Sequence, residues 1–247
     1  MNKLSLTCIV ILVLSFGVST AFADIVFIGP ENLTGSGFGA LPRALTLQSH
    51  GPANPTESGC IKPNGSGGLS EGSGACDVVR DVGGDEAPPL GFPKQAAPTL
   101  ADLGITAGNQ IGILFDAIQP QNPPNDIVTI NDLTLKLYKG TTLIFQAFGT
   151  FPNLVTNPGN GTTDYLFALN ATQGTAFNTA VNANGGFSNL ALRLALDSTI
   201  SFASNSAGPE SYVLVKTTAT VPEPNTLMLL GLGLVGLAAG RRYVNRR

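Results

Sequence analysis

Tryptophan is absent from this chain of 247 residues, and histidine occurs once, at His50. One histidine rules out most Ser/His/Asp and Cys/His catalytic arrangements by count, unless His50 itself is the base. It stands in Ser49-His50-Gly51-Pro52, at the start of a turn-rich stretch, where a solvated loop histidine is expected. With no tryptophan and only 4 tyrosines, the chain is also poor in the flat aromatic surfaces on which sugar rings stack. Charged residues make up only 12% of the chain, and the cationic share is small. Between Asp24 and Thr220 there are 8 basic residues against 15 acidic ones. Such a domain has no electrostatic hold on a phosphate backbone, so nucleic-acid binding is excluded. Phosphate loops are missing too: Gly65, Gly67 and Gly68 follow no strand pattern and open no helix pattern.

Cysteine is scarce, with 3 residues, and their positions matter. Cys8 lies in the apolar run Leu4 to Val18, which follows Lys3 and precedes Ala21-Phe22-Ala23. A short basic start, an apolar run and small residues at −3 and −1 form a secretory signal peptide cleaved after Ala23. Residues 1–23 therefore leave on export, through the Sec machinery and signal peptidase, and Cys8 leaves with them. Cys60 and Cys76 remain, in a compartment that favours oxidation, and a disulfide between them is expected. It would close a loop of about 15 residues, a constraint of roughly 3 kcal/mol in the chain-entropy account. A metal pair is the alternative, though four N/S ligands are usual and His50 is the only histidine.

What the chain does have at its other end is an uncharged run with punctuation on both sides. Val221-Pro222-Glu223-Pro224 precedes it, Leu227 to Gly240 are 14 residues without a charge, and Arg241, Arg242, Arg246 and Arg247 follow. As a helix those 14 residues span about 21 Å, short of the ~30 Å hydrocarbon core of a bilayer. They predict a marginal transmembrane helix, with the arginines held on the cytoplasmic side. Two prolines keep the backbone around Glu223 extended and free of helix. An extended peptide held just outside a membrane helix offers a processing enzyme something to grip.

The order Pro222-Glu223-Pro224, short Gly/Leu-rich helix, Arg241-Arg242 resembles the PEP-CTERM sorting domain. The resemblance covers about 27 of the 247 residues. It implies recognition by an exosortase, a membrane-embedded cysteine protease or transpeptidase, in Gram-negative-type bacteria that make exopolysaccharide. It speaks to destination and leaves the activity of the intervening part open.

Residues 24–220 form the ectodomain, and strand patterns dominate them. Ile25 to Ile28 opens with a β-rich run, and Ala40 to Leu47 is a second strand placed at an edge by Pro42. Residues 49–98 contain 17 Gly or Pro with few large apolar side chains, and read as a long, partly mobile surface excursion. Ile111 to Phe115 is a buried-strand type of run ending at Asp116. Ile127 to Tyr138 alternates, with Leu133, Leu135 and Leu137 on one face, as a half-buried antiparallel strand does. Lys139-Gly140-Thr141 then turns it into Leu143 to Phe148, a hairpin. Asp164 to Leu169 is a further strand. Thr172 to Ala183 carries Ala176, Phe177, Ala180 and Val181 at helical spacing and ends at Asn184-Gly185-Gly186. Leu190, Leu192, Leu194 and Leu196 alternate again, and Thr199 to Phe202 and Tyr212 to Val215 close the set.

Short strands separated by turns predict a mainly β fold, an antiparallel sandwich of jelly-roll or immunoglobulin-like type with one short helix. The resemblance implies the same, since PEP-CTERM ectodomains are often β-sandwiches. Asp77, Asp81, Asp85 and Glu86 are oxygen ligands close together in sequence, but their spacing is not that of an EF-hand loop, and solvated acidic residues are expected there. Asn-X-Ser/Thr triplets at Asn32, Asn64, Asn160 and Asn170 read as chance in so Asn- and Thr-rich a chain. The expected function is an exported, non-enzymatic protein without a cofactor, sorted by an exosortase to the cell surface or the exopolysaccharide matrix. The alternatives are a polysaccharide-binding sandwich and a secreted hydrolase using carboxylates, whose pairing is set by the fold.

Overall fold

The computed structural model describes residues 24–31, 43–47, 56–63, 69–71, 97–116, 127–155, 164–202 and 210–218. The predicted signal peptide and C-terminal helix lie outside them. No described helix is long and apolar enough to cross a membrane.

Ten strands are described: β1 (Ile25–Glu31), β2 (Leu45–Leu47), β3 (Thr56–Pro63), β4 (Leu69–Glu71), β5 (Ile111–Asp116), β6 (Ile127–Lys139), β7 (Thr142–Val155), β8 (Asp164–Leu169), β9 (Leu192–Phe202) and β10 (Glu210–Lys216). One helix, α1 (Ala171–Ala183), lies between β8 and β9, and a 3-10 turn, Gly108–Gln110, leads into β5. The first sheet has the order β1-β8-β5-β10-β2 and the second β4-β3-β9-β6-β7. All the pairings are antiparallel. With the edge strands β1 and β4 set aside, β2-β10-β5-β8 and β3-β9-β6-β7 remain. The chain passes from one set to the other at every connection except the β6–β7 hairpin, which is the interleaving of a jelly roll.

The two sheets share one core. Phe151 of β7 meets Phe167 of β8 with ring centroids 4.3 Å apart. Leu133, Leu135 and Leu137 from β6 and Leu192, Leu194 and Leu196 from β9 all point into it, fully buried. A two-residue turn, Gly140-Thr141, joins Lys139 to Thr142, and Gly140 has φ +60, the left-handed value that turns of this kind need. β7 is an edge strand, which is why it accommodates Pro152 without losing a central hydrogen bond. Next to it Asn153 adopts φ 55, a conformation asparagine tolerates better than most residues.

Three expectations are corrected. Residues 49–98 are not simply a surface excursion, because β3 sits inside the second sheet between β4 and β9, with Glu57 to Ile61 all buried. Composition misled here because the strand is fixed by backbone pairing to β9, and its one large apolar side chain is Ile61. β6 and β9 are not half-buried at their centres either: Thr134, Tyr138, Ala195 and Asp197 on the second face are nearly inaccessible. Finally, Leu190 stands in a turn and is 65% exposed, and the two predicted strands from Leu190 to Phe202 are one continuous β9.

α1 begins and ends as its sequence dictates. The side chain of Asn170 caps it, accepting from the Gln173 N–H at 2.8 Å. Asn184 and Gly186 N–H groups both return to the Val181 carbonyl, with Gly185 and Gly186 at φ 104 and 82. Phe177 drives the helix onto β7, meeting Phe145 edge-on at 5.1 Å. Its first turn rests on the 3-10 turn through two glycines. A Cβ on Gly108 would stand 2.5 Å from the Gly174 carbonyl oxygen, whereas a Cβ on Gly174 has nothing closer than 3.4 Å. Gly108→Ala is therefore expected to lose about 1–3 kcal/mol by forcing the helix away. Gly174→Ala should be neutral or stabilising by up to ~1 kcal/mol, because it removes a helix-interior glycine. Thermal unfolding of the two variants checks this, and equal shifts would refute the contact.

Candidate functional site

The described residues hold three groups of buried polar side chains. The first lies on the outer face of the second sheet. Asp197 of β9 is 2% exposed and receives an ion-paired hydrogen bond from Lys136 of β6, whose side chain is 11% exposed. Thr134 lies directly across from Asp197 and donates from Oγ1 to Asp132 at 3.2 Å. Burial pushes the Asp197 carboxyl above its usual range, opposed by Lys136. Burial also raises Asp132, opposed by the Thr134 hydroxyl and then by Lys136.

The second group is inside the sandwich. The Tyr212 hydroxyl of β10 meets Ser198 Oγ of β9 at 2.7 Å, bridging the two sheets. Burial pushes this phenol far above its usual value. Glu57 from β3 and Glu210 from β10 are fully buried on the two sheets, and their charges raise it further. The third group joins Arg43 to Asp116 at the edge of the first sheet, where burial raises the carboxyl and Arg43 opposes it.

A carboxylate-dependent hydrolase needs two carboxyl groups facing a substrate. Asp116 and Asp164 lie directly opposite each other on β5 and β8, with Asp116 4% exposed. Asp132 and Asp197 lie diagonally on β6 and β9, where Asp197 is inaccessible and held by Lys136. Among the described residues, no group of three or more His, Cys, Asp and Glu is placed to hold a metal ion. Aromatic surface is sparse as well: Phe27 and Phe148, on different sheets, are the large aromatic side chains exposed among the described residues.

Most residues singled out from sequence lie outside the described ones: Ala21 and Ala23, His50, Cys76, Asp77, Asp81, Asp85, Glu86, and the tail residues Pro222, Glu223, Pro224, Arg241 and Arg242. Cys60 is described. It is fully buried in β3 and lies opposite Asp197 in register. The buried acids Glu57 and Glu210 and the Lys136–Asp197 pair escaped the sequence reading. Each looks like an ordinary surface residue until the partner strand is known.

Comparison with known protein families identifies a PEP-CTERM protein-sorting motif at residues 220–242. The match takes in Pro222, Glu223 and Pro224, the uncharged run and both Arg241 and Arg242. No curated protein and no solved structure matches the chain. A sorting motif of this kind marks an exported protein that carries its address at the C-terminus.

Proposed function

We propose that this chain is an exported structural or matrix protein, without catalytic activity of its own, that an exosortase recognises through Pro222, Glu223 and Pro224. Export begins with the Sec machinery and signal peptidase, which cleaves after Ala23. The C-terminal helix then holds the protein in the inner membrane of a Gram-negative-type bacterium until processing sends it to the cell surface or the exopolysaccharide matrix. The observation that carries this reading is the sorting motif at residues 220–242.

The test uses the full chain with an epitope after Arg247, expressed in an exosortase-bearing host and in the same host lacking the exosortase. The epitope should be lost from the ectodomain only where the enzyme is present. Equal processing in both hosts would overturn the reading.

The same proposal includes a Cys60–Cys76 disulfide, which the burial of Cys60 and the oxidising destination support. In exported protein both thiols should resist alkylation, and Cys76→Ser should release one thiol and lower stability by about 3 kcal/mol. Because Cys60 lies in a central strand and not in a loose loop, Cys60→Ser should cost at least as much. Ready alkylation of both thiols in wild-type exported protein would refute the bridge.

A further inference from the structure

The outer face of the first sheet is apolar where a sandwich normally meets water. Leu114, Leu166 and Val213 form a cluster separate from the core, with Ile28 and Val215 packed against it. They lie side by side across the sheet, Val213 opposite Leu114 and Leu114 opposite Leu166. A second row beside them runs Val215, Gly112, Ala168, Val26. A Cβ on Gly112 would meet Val215 at 2.9 Å and Leu166 at 3.1 Å, so the floor of this patch is already closed by its own side chains. Antiparallel sheets with one wet face alternate apolar and polar residues. Here β5, β8 and β10 carry apolar residues on both faces, and the polar row Ser211, Asp116 and Asp164 bounds the outer patch on one side. Leu114, Leu166 and Val213 are 5%, 4% and 1% exposed, yet among the described residues their cluster contains only side chains of this one sheet.

Size and position decide what fits. Four strands at ~4.8 Å spacing and two rows of side chains give a patch roughly 14 Å on a side. That seats one helix of ~10 Å diameter. It is far below the ~800 Å² that each partner contributes to a standard protein interface, which argues against a second copy of the chain. The patch also lies at the end of β10 from which the chain departs. Thr217 is still bonded to Gln110 at 2.8 Å, and eight residues, 219–226, then lead to Leu227. Their reach of at most about 30 Å keeps the uncharged run Leu227 to Gly240 beside this face. The apolar run Leu4 to Val18 at the other end leaves with the predicted signal peptide.

We propose that, outside the bilayer, residues 227–240 dock on the outer face of the first sheet, so that membrane insertion and docking compete for one apolar segment. At about 21 Å as a helix the segment is short for a ~30 Å hydrocarbon core, and this weakens the competing state. Removing the segment would uncover an apolar sheet face on the released protein. The docking does not depend on the exosortase reading.

The test introduces cysteine pairs into the full chain, in a host without exosortase so that the tail is retained. A short bis-maleimide is applied and cross-links are mapped by mass spectrometry. Val215→Cys with Leu234→Cys should cross-link within one chain about tenfold more than Gln146→Cys with Leu234→Cys, because docking raises the local concentration of the tail thiol. Val215 is only partly buried, so its replacement should leave the fold intact, and Ile28→Cys with Leu234→Cys repeats the measurement from another strand. Equal yields for the two sheets, cross-links only between chains, or labelling of the introduced tail thiol only by a lipid-borne reagent would each overturn the proposal.

Discussion

Lys136→Met is expected to destabilise the ectodomain by about 3–5 kcal/mol near neutral pH, the cost of leaving a buried carboxylate without its partner. Asp197 is 2% exposed and Lys136 is the cation bonded to it. Water cannot take the place of the lost ammonium group at that depth. The double variant Lys136→Met with Asp197→Leu should recover most of the loss, since an apolar pair of similar volume avoids both desolvation penalties. Urea unfolding of the wild type, both single variants and the double variant measures the coupling.

The pH dependence separates charge from packing. Burial raises the Asp197 carboxyl in the folded protein, and Lys136 works against that rise. A raised carboxyl binds its proton more readily in the folded than in the unfolded chain. Stability from this group is thus present below the ordinary carboxylate value of ~3.9 and is lost as pH rises through the raised value. Removing Lys136 raises the carboxyl further, so the deficit of the Met variant should be largest near neutrality and shrink towards pH ~4. An equal deficit at both pH values would mean that Lys136 contributes through its methylene stem alone.

The Lys136–Asp197 pair also shows where sequence reading stops. The alternation of Leu133, Leu135 and Leu137 identified the core face of β6 correctly, because period two is a property of one strand. Whether the opposite face is wet depends on what lies across it, which no single strand encodes. The run Ile111 to Phe115 was more informative. Being apolar at consecutive positions, it announced a buried strand, and each of its residues is buried. Tyr165 to Leu169, read simply as a strand, is buried throughout as well. β3 was illegible for the reverse reason. Thr56-Glu57-Ser58-Gly59-Cys60 has no large apolar side chain, and its place beside β9 follows from backbone hydrogen bonds and from small side chains that let the sheet close. α1 was legible because its apolar spacing and its terminal glycines lie within one short segment, whereas its cap, Asn170, was read as a chance Asn-X-Thr triplet. The tail was read from a motif whose meaning is chemical, so it needed no tertiary context.

Glu223→Gln is expected to slow exosortase processing on the order of 10–100-fold, with full-length protein accumulating in the membrane. Glu223 is the only charge between Lys216 and Arg241, so it is the one group through which that segment can make a charge-assisted hydrogen bond. Such a bond is worth about 1.5–3 kcal/mol, which sets the size of the effect. Glutamine keeps the length of the side chain and its acceptor oxygen, so the change reports on charge and not on shape. Pro222→Ala should act more weakly. It frees one backbone angle and restores an N–H, a penalty of about 0.4–1 kcal/mol in ordering the peptide, or a slowing of roughly 2–5-fold. Arg241→Ser with Arg242→Ser fails by another route: the stop is weakened, and protein leaves the membrane fraction before it can be processed. Pulse-chase of the epitope-tagged full chain, with membrane and released fractions counted separately, distinguishes retention from escape. Processing of the Glu223→Gln variant at the wild-type rate in an exosortase-bearing host would reduce the motif to a spacer in front of an anchor.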